Sequence, residues 1–252
     1  MSTMDMKQYL ERINYVGLLN PTFEVLSKLQ LTHLMNVPFE NLDIHNKTKI
    51  DLKNLFDKIV TRKRGGFCYE LNGLFYELLK EIGFTVKLIS ARVYDKKKEY
   101  SPEFDHMAIV ASIKNDNYLV DVGFGEFAFS PIRIALNKDT IDPRGIFRIE
   151  IFDENYKVVK KKNAEGKFIP EYMFSEKERQ LEEFYARCYY HQTSNESHFT
   201  QNRICSLPTK EGRLTLTGNT LKITENGVVK ERHLNNEQEV QRELWNYFGI
   251  KL

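Results

Sequence analysis

The chain has 252 residues, 41% of them hydrophobic, 12% aromatic and 29% charged. That aromatic share supplies the bulk to offset ordering entropy and excludes a disordered chain. Its 37 Lys and Arg nearly balance 35 Asp and Glu, and a net charge of +2 argues against a nucleic-acid binder.

In chain order, the opening run Met1 to Tyr9 lacks the apolar core of a signal peptide. No run approaches the roughly 20 apolar residues of a membrane span. Helical patterns then dominate. Asp5 to Tyr15 is a short amphipathic stretch, and Pro21 opens a second one with Phe23, Leu26, Leu29 and Leu34. Asp51 is placed to cap a third helix carrying Leu52, Leu55, Phe56 and Ile59. Gly65-Gly66 breaks the pattern, and the clearest helix follows, with Leu71, Leu74, Phe75, Leu78, Leu79 and Ile82 on one face and Gly83 as its stop.

Beyond Gly83 the period falls from 3.6 to 2. Thr85 to Tyr94, His106 to Ile113, Tyr118 to Val122 and Phe147 to Phe152 read as strands, with turn chemistry at Lys114 to Asn117. Glu176 to Tyr190 returns to helix. Arg213 to Gly218, Leu221 to Thr224 and Val228 to Leu234 form a meander with Gly218-Asn219 and Asn226-Gly227 as turns, and Asn236 to Phe248 closes the chain as a helix. Helices, then strands, then a mixed tail make the fold class α+β.

Three cysteines, Cys68, Cys188 and Cys205, are too few and too scattered for a disulfide framework or a zinc ribbon, and a reduced, cytoplasmic protein is expected. Cys68 stands apart, because a glycine turn delivers it to a helix start where unpaired amides and the helix dipole favour a thiolate. Cys188 and Cys205 read as packing. A cysteine nucleophile needs a base and an orienting group. Among six histidines, His106 opens a strand, while His33 and His233 read as surface or satisfied-core residues. Asp121 lies in the apolar run Tyr118 to Gly125, where a carboxylate is costly without a partner. With Lys114-Asn115 as a two-residue loop, Ile113 faces Asp116 and Asp121 faces Ala108. His106 is then the diagonal neighbour at about 7–8 Å; a four-residue loop widens the gap to about 13 Å. The residues therefore point to a Cys68–His106–Asp121 triad, with amides at the helix start as an oxyanion hole. That chemistry is acyl transfer, to water or to another acceptor.

Arg64-Gly65-Gly66-Phe67-Cys68-Tyr69-Glu70-Leu71-Asn72, Asp105-His106-Met107 and Asp121-Val122-Gly123-Phe124-Gly125 resemble the catalytic signatures of the arylamine N-acetyltransferase family. Pro38-Phe39-Glu40-Asn41, the run 197–205 and Gly212 to Leu216 resemble its other markers, in family order over about residues 38 to 216. The resemblance implies an N-terminal helical bundle (1–84) carrying the cysteine, a central β-barrel (85–200) carrying histidine and aspartate, and a C-terminal α/β lid (201–252), around a cysteine-protease-like catalytic core. It implies ping-pong transfer from acetyl-CoA, as co-substrate, through an acetyl-Cys68 thioester to an aromatic amine or hydrazine. Phe39, Val93, Phe124, Gly125 and Phe199 map to the pocket; no metal, membrane or nucleic-acid partner is implied, and the state is a monomer or weak homo-oligomer. CoA phosphates call for Lys or Arg, although Lys96-Lys97-Lys98 and Lys160-Lys161-Lys162 read as solvated turns. The alternative is a papain-like or transglutaminase-like cysteine amidohydrolase using the same triad.

Overall fold

The structure, a computed structural model, describes residues 5–97 and 99–252. The opening residues 1–4 and Lys98 of the first lysine run lie outside the described residues.

The helical part begins with α1 (Met6–Arg12), capped by Asp5, whose carboxylate accepts from Gln8 N–H. Helix α2 (Phe23–Asn36) is capped by Thr22, with Pro21 outside it. A two-residue strand β1 (Phe39–Glu40) and the short α3 (Leu42–His45) follow. Asp51 does not start a helix, because its carboxylate accepts from Lys53 N–H at 3.0 Å and closes a turn instead. A wide π turn, Asp57–Thr61, comes next. Helix α4 (Cys68–Ile82) ends at Gly83, which takes φ 99°, a conformation costly for any residue with a Cβ.

Nine strands form the second layer: β2 (Thr85–Asp95), β3 (Glu99–Tyr100), β4 (His106–Ile113), β5 (Asp116–Val120), β6 (Ile132–Arg133), β7 (Asp139–Asp142), β8 (Gly145–Ile151), β9 (Lys157–Lys162) and β10 (Phe168–Phe174). Their order is β6-β5-β4-β2-β10-β9-β8-β7 with β3 on β2, every pair antiparallel, curling into a barrel-like sheet. Lys160 to Lys162 are therefore strand, not turn. Lys160 pairs with Glu150, Lys162 covers the Phe168 ring, and Val158 and Val159 beside them are buried.

The segment 176–180 is extended, with Arg179 N–H on Leu88 O at 2.9 Å. Glu183 accepts from Gln180 N–H at 2.7 Å, so helix begins only there, as a 3₁₀ turn (Leu181–Phe184) leading into α5 (Tyr185–Thr193). After α6 (His198–Gln201), strands β11 (Ile204–Pro208), β12 (Gly212–Thr217), β13 (Thr220–Glu225) and β14 (Val228–His233) make a second sheet. Strand β1 joins its edge, and α7 (Glu237–Phe248) packs through Val240, Leu244 and Phe248 into the same core as Leu216 and Leu221. Among the described residues no helix is long and apolar enough to cross a membrane.

Alternation along β4 places the site. Met107, Ile109 and Ala111 pack against the helical core, while Ala108 and Val110 join Leu119 and Tyr172 inside the barrel. His106 shares the parity of Ala108 and Val110, so its ring faces the barrel interior. The β4–β5 register pairs Ile113 with Asp116 and Ile109 with Val120, which is the two-residue loop, with Lys114 at φ 54°. Strand β5 stops at Val120, leaving Asp121 as the first residue beyond the ladder.

Candidate active site

Cys68 is the first residue of α4, and two sets of contacts fix the loop that delivers it. Gly66 pairs with the β1 segment through Glu40 N–H to Gly66 O at 3.0 Å. A Cβ at Gly65 would lie 2.0 Å from Pro38 O, so only glycine fits there. Beneath the loop, Lys58 and Arg64 meet Glu40, Asp43 and Glu70 in a buried cluster: Lys58 lies 2.7 Å from Asp43 and 2.9 Å from Glu70, and Arg64 2.7 Å from Glu40 and 2.9 Å from Asp43. Burial opposes the Lys58 charge, yet Glu70, Glu40 and Asp43 outweigh it and raise its pKa. Glu70 also accepts from Phe67 N–H at 2.8 Å, capping the helix at Cys68.

His106 and Asp121 meet as the sequence predicts. Asp121 Oδ2 lies 2.6 Å from His106 Nε2 and also accepts from Tyr172 O–H at 3.0 Å. Its Oδ1 accepts from Asn72 Nδ2, Gly123 N–H and Phe124 N–H at 3.0, 2.9 and 3.1 Å. This fully buried carboxylate thus has five donors. Burial would raise its pKa, but His106, Asn72 and the Gly123 amide hold it below the usual carboxylate range. For His106 burial works downward, and Asp121 together with the side-chain hydrogen bond to Cys68 overrides it, pushing the ring up to about 10. With Nε2 on Asp121, Nδ1 is the nitrogen left for the sulfur. An imidazolium against a sulfur favours the thiolate.

Gly123 packs directly on Cys68: a Cβ there would lie 2.6 Å from Cys68 Cα. Gly125 meets only Arg213 Nη2 at 3.8 Å, so the close approach belongs to Gly123. Among the amides at the helix start, that of Phe67 is spent on Glu70 and is not open to an oxyanion.

Cys68 and His106 open on a cavity of about 850 Å³, and Phe39, Val93, Phe124, Gly125 and Phe199 all line it. Asn41 holds one wall, donating to Phe199 O and Asn202 O at 2.9 Å each. Lys161, Arg144, Arg213 and Lys222 line the cavity too, so one lysine of the second run faces it. Sequence reasoning missed Tyr172, Arg144 and His191, which touch the site across large sequence separations, while Asp105 lay inside the quoted signature around His106. Asn72 lay inside the quoted signature, and its spacing of four from Cys68 was the available signal.

The remaining histidines and cysteines divide. His33 is fully buried, yet neither ring nitrogen has a hydrogen-bond partner among the described residues; it packs on Tyr9 and Phe75. Burial, then Arg12, push it down to about 3, so it is a neutral core residue rather than a satisfied one. His233 is exposed on β14. Cys188 and Cys205 are buried free thiols, both pushed up by burial.

A family model described as N-acetyltransferase matches residues 22–252. The arylamine N-acetyltransferase pineal gland isozyme NAT-3 of Gallus gallus is 33% identical over 279 residues, covering 99% of this chain and 95% of that one. The structure of Mycobacterium marinum arylamine N-acetyltransferase in complex with CoA covers 98% of this chain and 93% of its own, at 29% identity and a TM-score of 0.89. An arylamine N-acetyltransferase from Bacillus cereus, described with a unique Cys-His-Glu catalytic triad, matches over 100% of both chains at 28% identity and a TM-score of 0.90. In this chain the carboxylate on the histidine is an aspartate, Asp121.

Proposed function

The chain belongs to the arylamine N-acetyltransferase family, and from that premise we propose that it moves an acetyl group from acetyl-CoA to an aromatic amine or hydrazine through an acetyl-Cys68 thioester. The observation that carries the reading is Cys68 and His106 at the wall of one cavity, with Asp121 buried behind them at 2.6 Å from the His106 ring.

The reacting pair is a Cys68 thiolate and a His106 imidazolium. The sulfur attacks the acetyl carbonyl, and amides at the helix start receive the oxyanion. As the carbon–sulfur bond to CoA breaks, His106 gives its proton to the departing thiolate. The acceptor nitrogen then attacks the thioester, neutral His106 takes its proton, and the amide leaves as Cys68 recovers its thiolate. Asp121 stays ionised throughout and fixes the ring so that Nδ1 meets sulfur. The aromatic wall of Phe39, Phe124 and Phe199 suits a flat acceptor. Arg144, Lys161 and Arg213 supply cationic partners for CoA phosphates, and the fit rests on these side chains lining the cavity that Cys68 opens on.

Three free, buried thiols suit a reducing, cytoplasmic setting. Incubation with acetyl-CoA alone tests the chemistry. One acetyl group retained on Cys68, with one equivalent of CoA released, is expected. Continuous turnover to acetate would instead indicate the amidohydrolase reading.

A further inference from the structure

A second histidine–carboxylate pair lines the same cavity beside the triad. Asp105, the residue before His106, comes 2.9 Å from Nε2 of His191 on α5. Arg187 reaches the same oxygen, Oδ1, through Nε at 2.6 Å and Nη2 at 2.5 Å. His191 Nδ1 lies 3.1 Å from Ser197 Oγ, which accepts from Phe199 N–H at 3.3 Å. One direction of donation satisfies every group: Phe199 N–H to Ser197, Ser197 O–H to His191 Nδ1, His191 Nε2–H to Asp105. Burial opposes the Asp105 charge, but His191 and Arg187 hold the carboxyl down at about 2.

All three protein donors fall on Oδ1. Among the described residues Oδ2 accepts no hydrogen bond, and the side chain keeps 13% exposure in the cavity wall. An ionised carboxylate oxygen without a donor is a strong acceptor. Its charge is already matched by Arg187, so a cation gains little there and a neutral O–H or N–H gains most. Asp105, His106 and Cys68 line the same cavity, so an amine at the Cys68 thioester shares the space that Asp105 borders.

We infer that Asp105 Oδ2 is a specificity-determining acceptor in the amine pocket, selecting aromatic amines that carry a neutral hydrogen-bond donor, such as a hydroxyl, on the ring distal to the amine. This rests on the acetyl-transfer reading above.

The test is competition between 4-aminophenol and 4-methoxyaniline, which differ by one methyl and are electronically close. Both compete for one acetyl-enzyme, so a general loss of activity scales both products and leaves their ratio unchanged. The wild type should favour the 4-aminophenol product at least tenfold over the ratio given by uncatalysed acetylation with p-nitrophenyl acetate. In Asp105→Asn the Arg187 and His191 donors hold the amide oxygen, so the NH₂ turns to the cavity and the preference should vanish. A wild-type ratio equal to the uncatalysed one overturns the inference, and needs no variant to fold. A ratio undiminished in Asp105→Asn overturns it as well. Acetyl-Cys68 from acetyl-CoA is measured beside each ratio: its absence from the wild type overturns the acetyl-transfer reading and this inference together, whereas its presence with an unselective ratio overturns this inference alone.

Discussion

Asn72 donates to Asp121 Oδ1 at 3.0 Å from a position one helical turn beyond Cys68, so the helix that carries Cys68 also holds the carboxylate that orients the His106 ring. The same amide donates to Met107 O at 2.7 Å and accepts from Val122 N–H at 2.9 Å, tying α4 to β4 and to the Asp121 loop. Asn72→Leu removes all three bonds and leaves Met107 O and Val122 N–H buried without that partner, at about 1–3 kcal/mol per orphaned group. A fall of that order in unfolding free energy by urea titration is expected, together with slower alkylation of Cys68 by iodoacetamide at neutral pH. Unchanged alkylation would remove Asn72 from the positioning of the triad.

Gly123 and Gly125 separate close approach from mere presence in a motif. A methyl at Gly123 would sit 2.6 Å from Cys68 Cα, 2.9 Å from its Cβ and 2.8 Å from Asn72 Nδ2, so backbone must move. Gly123→Ala should cost about 1–3 kcal/mol, as overpacking does, and should slow acetylation of Cys68 by at least tenfold. Gly125→Ala meets only Arg213 Nη2, at an ordinary contact distance of 3.8 Å, and should unfold within about 0.5 kcal/mol of wild type. Thermal melts and stopped-flow CoA release on the two variants check the contrast; equal behaviour would contradict it.

The parts of the site legible in the sequence are those set by local rules. Gly65-Gly66 before an apolar helix announced Cys68, and strand parity put His106 and Asp121 on one face; the loop length was left open between two and four residues, and the structure takes the two-residue loop that brings them together. The parts that were not legible depend on distant partners. Tyr172 reaches Asp121 from β10, 51 residues away, and His191 reaches Asp105 across 86. Strand β9 carries four lysines in six residues and so reads as solvated, yet Glu150 and the Phe168 ring provide for their charges while Val158 and Val159 are buried. Likewise Glu176 to Gln180 has helical composition, but pairing of Arg179 with Leu88 holds it extended.

Asp121→Asn probes the electrostatics of the pair. In the folded protein His106 is raised to about 10 from an ordinary value near 6.5, so its contribution to stability is complete below about 6.5 and lost as pH rises through 10. Asp121 is lowered, so its own contribution is present above the ordinary carboxyl value and lost as pH falls below it. The stability gap between wild type and Asp121→Asn should therefore be widest near pH 5–6, about 3–5 kcal/mol for an uncompensated partner, and should narrow steadily toward pH 10. Urea midpoints at pH 5.5, 8 and 10 measure it. A gap that grows with pH would reverse the assignment of charge to His106.

Lys58→Met tests the ion cluster under the Cys68 loop. The substitution keeps the length of the chain but leaves Glu40, Asp43 and Glu70 facing Arg64 alone, three carboxylates against one cation in a buried place. Lys58 is the cation that lowers Asp43 and Glu70 against burial, so its loss raises both, and the penalty is full at neutral and alkaline pH and eases in acid as they protonate. About 3–5 kcal/mol is expected at pH 8, the cost of breaking a buried pair by removing one partner. At pH 5 the difference from wild type should be distinctly smaller. Because Glu70 also caps α4 at Phe67, the variant should alkylate Cys68 more slowly at neutral pH. Adding Glu70→Gln to Lys58→Met restores a neutral donor and acceptor at that place and should recover part of both losses. If the double variant is no more stable than Lys58→Met, the cluster acts through packing and not through charge.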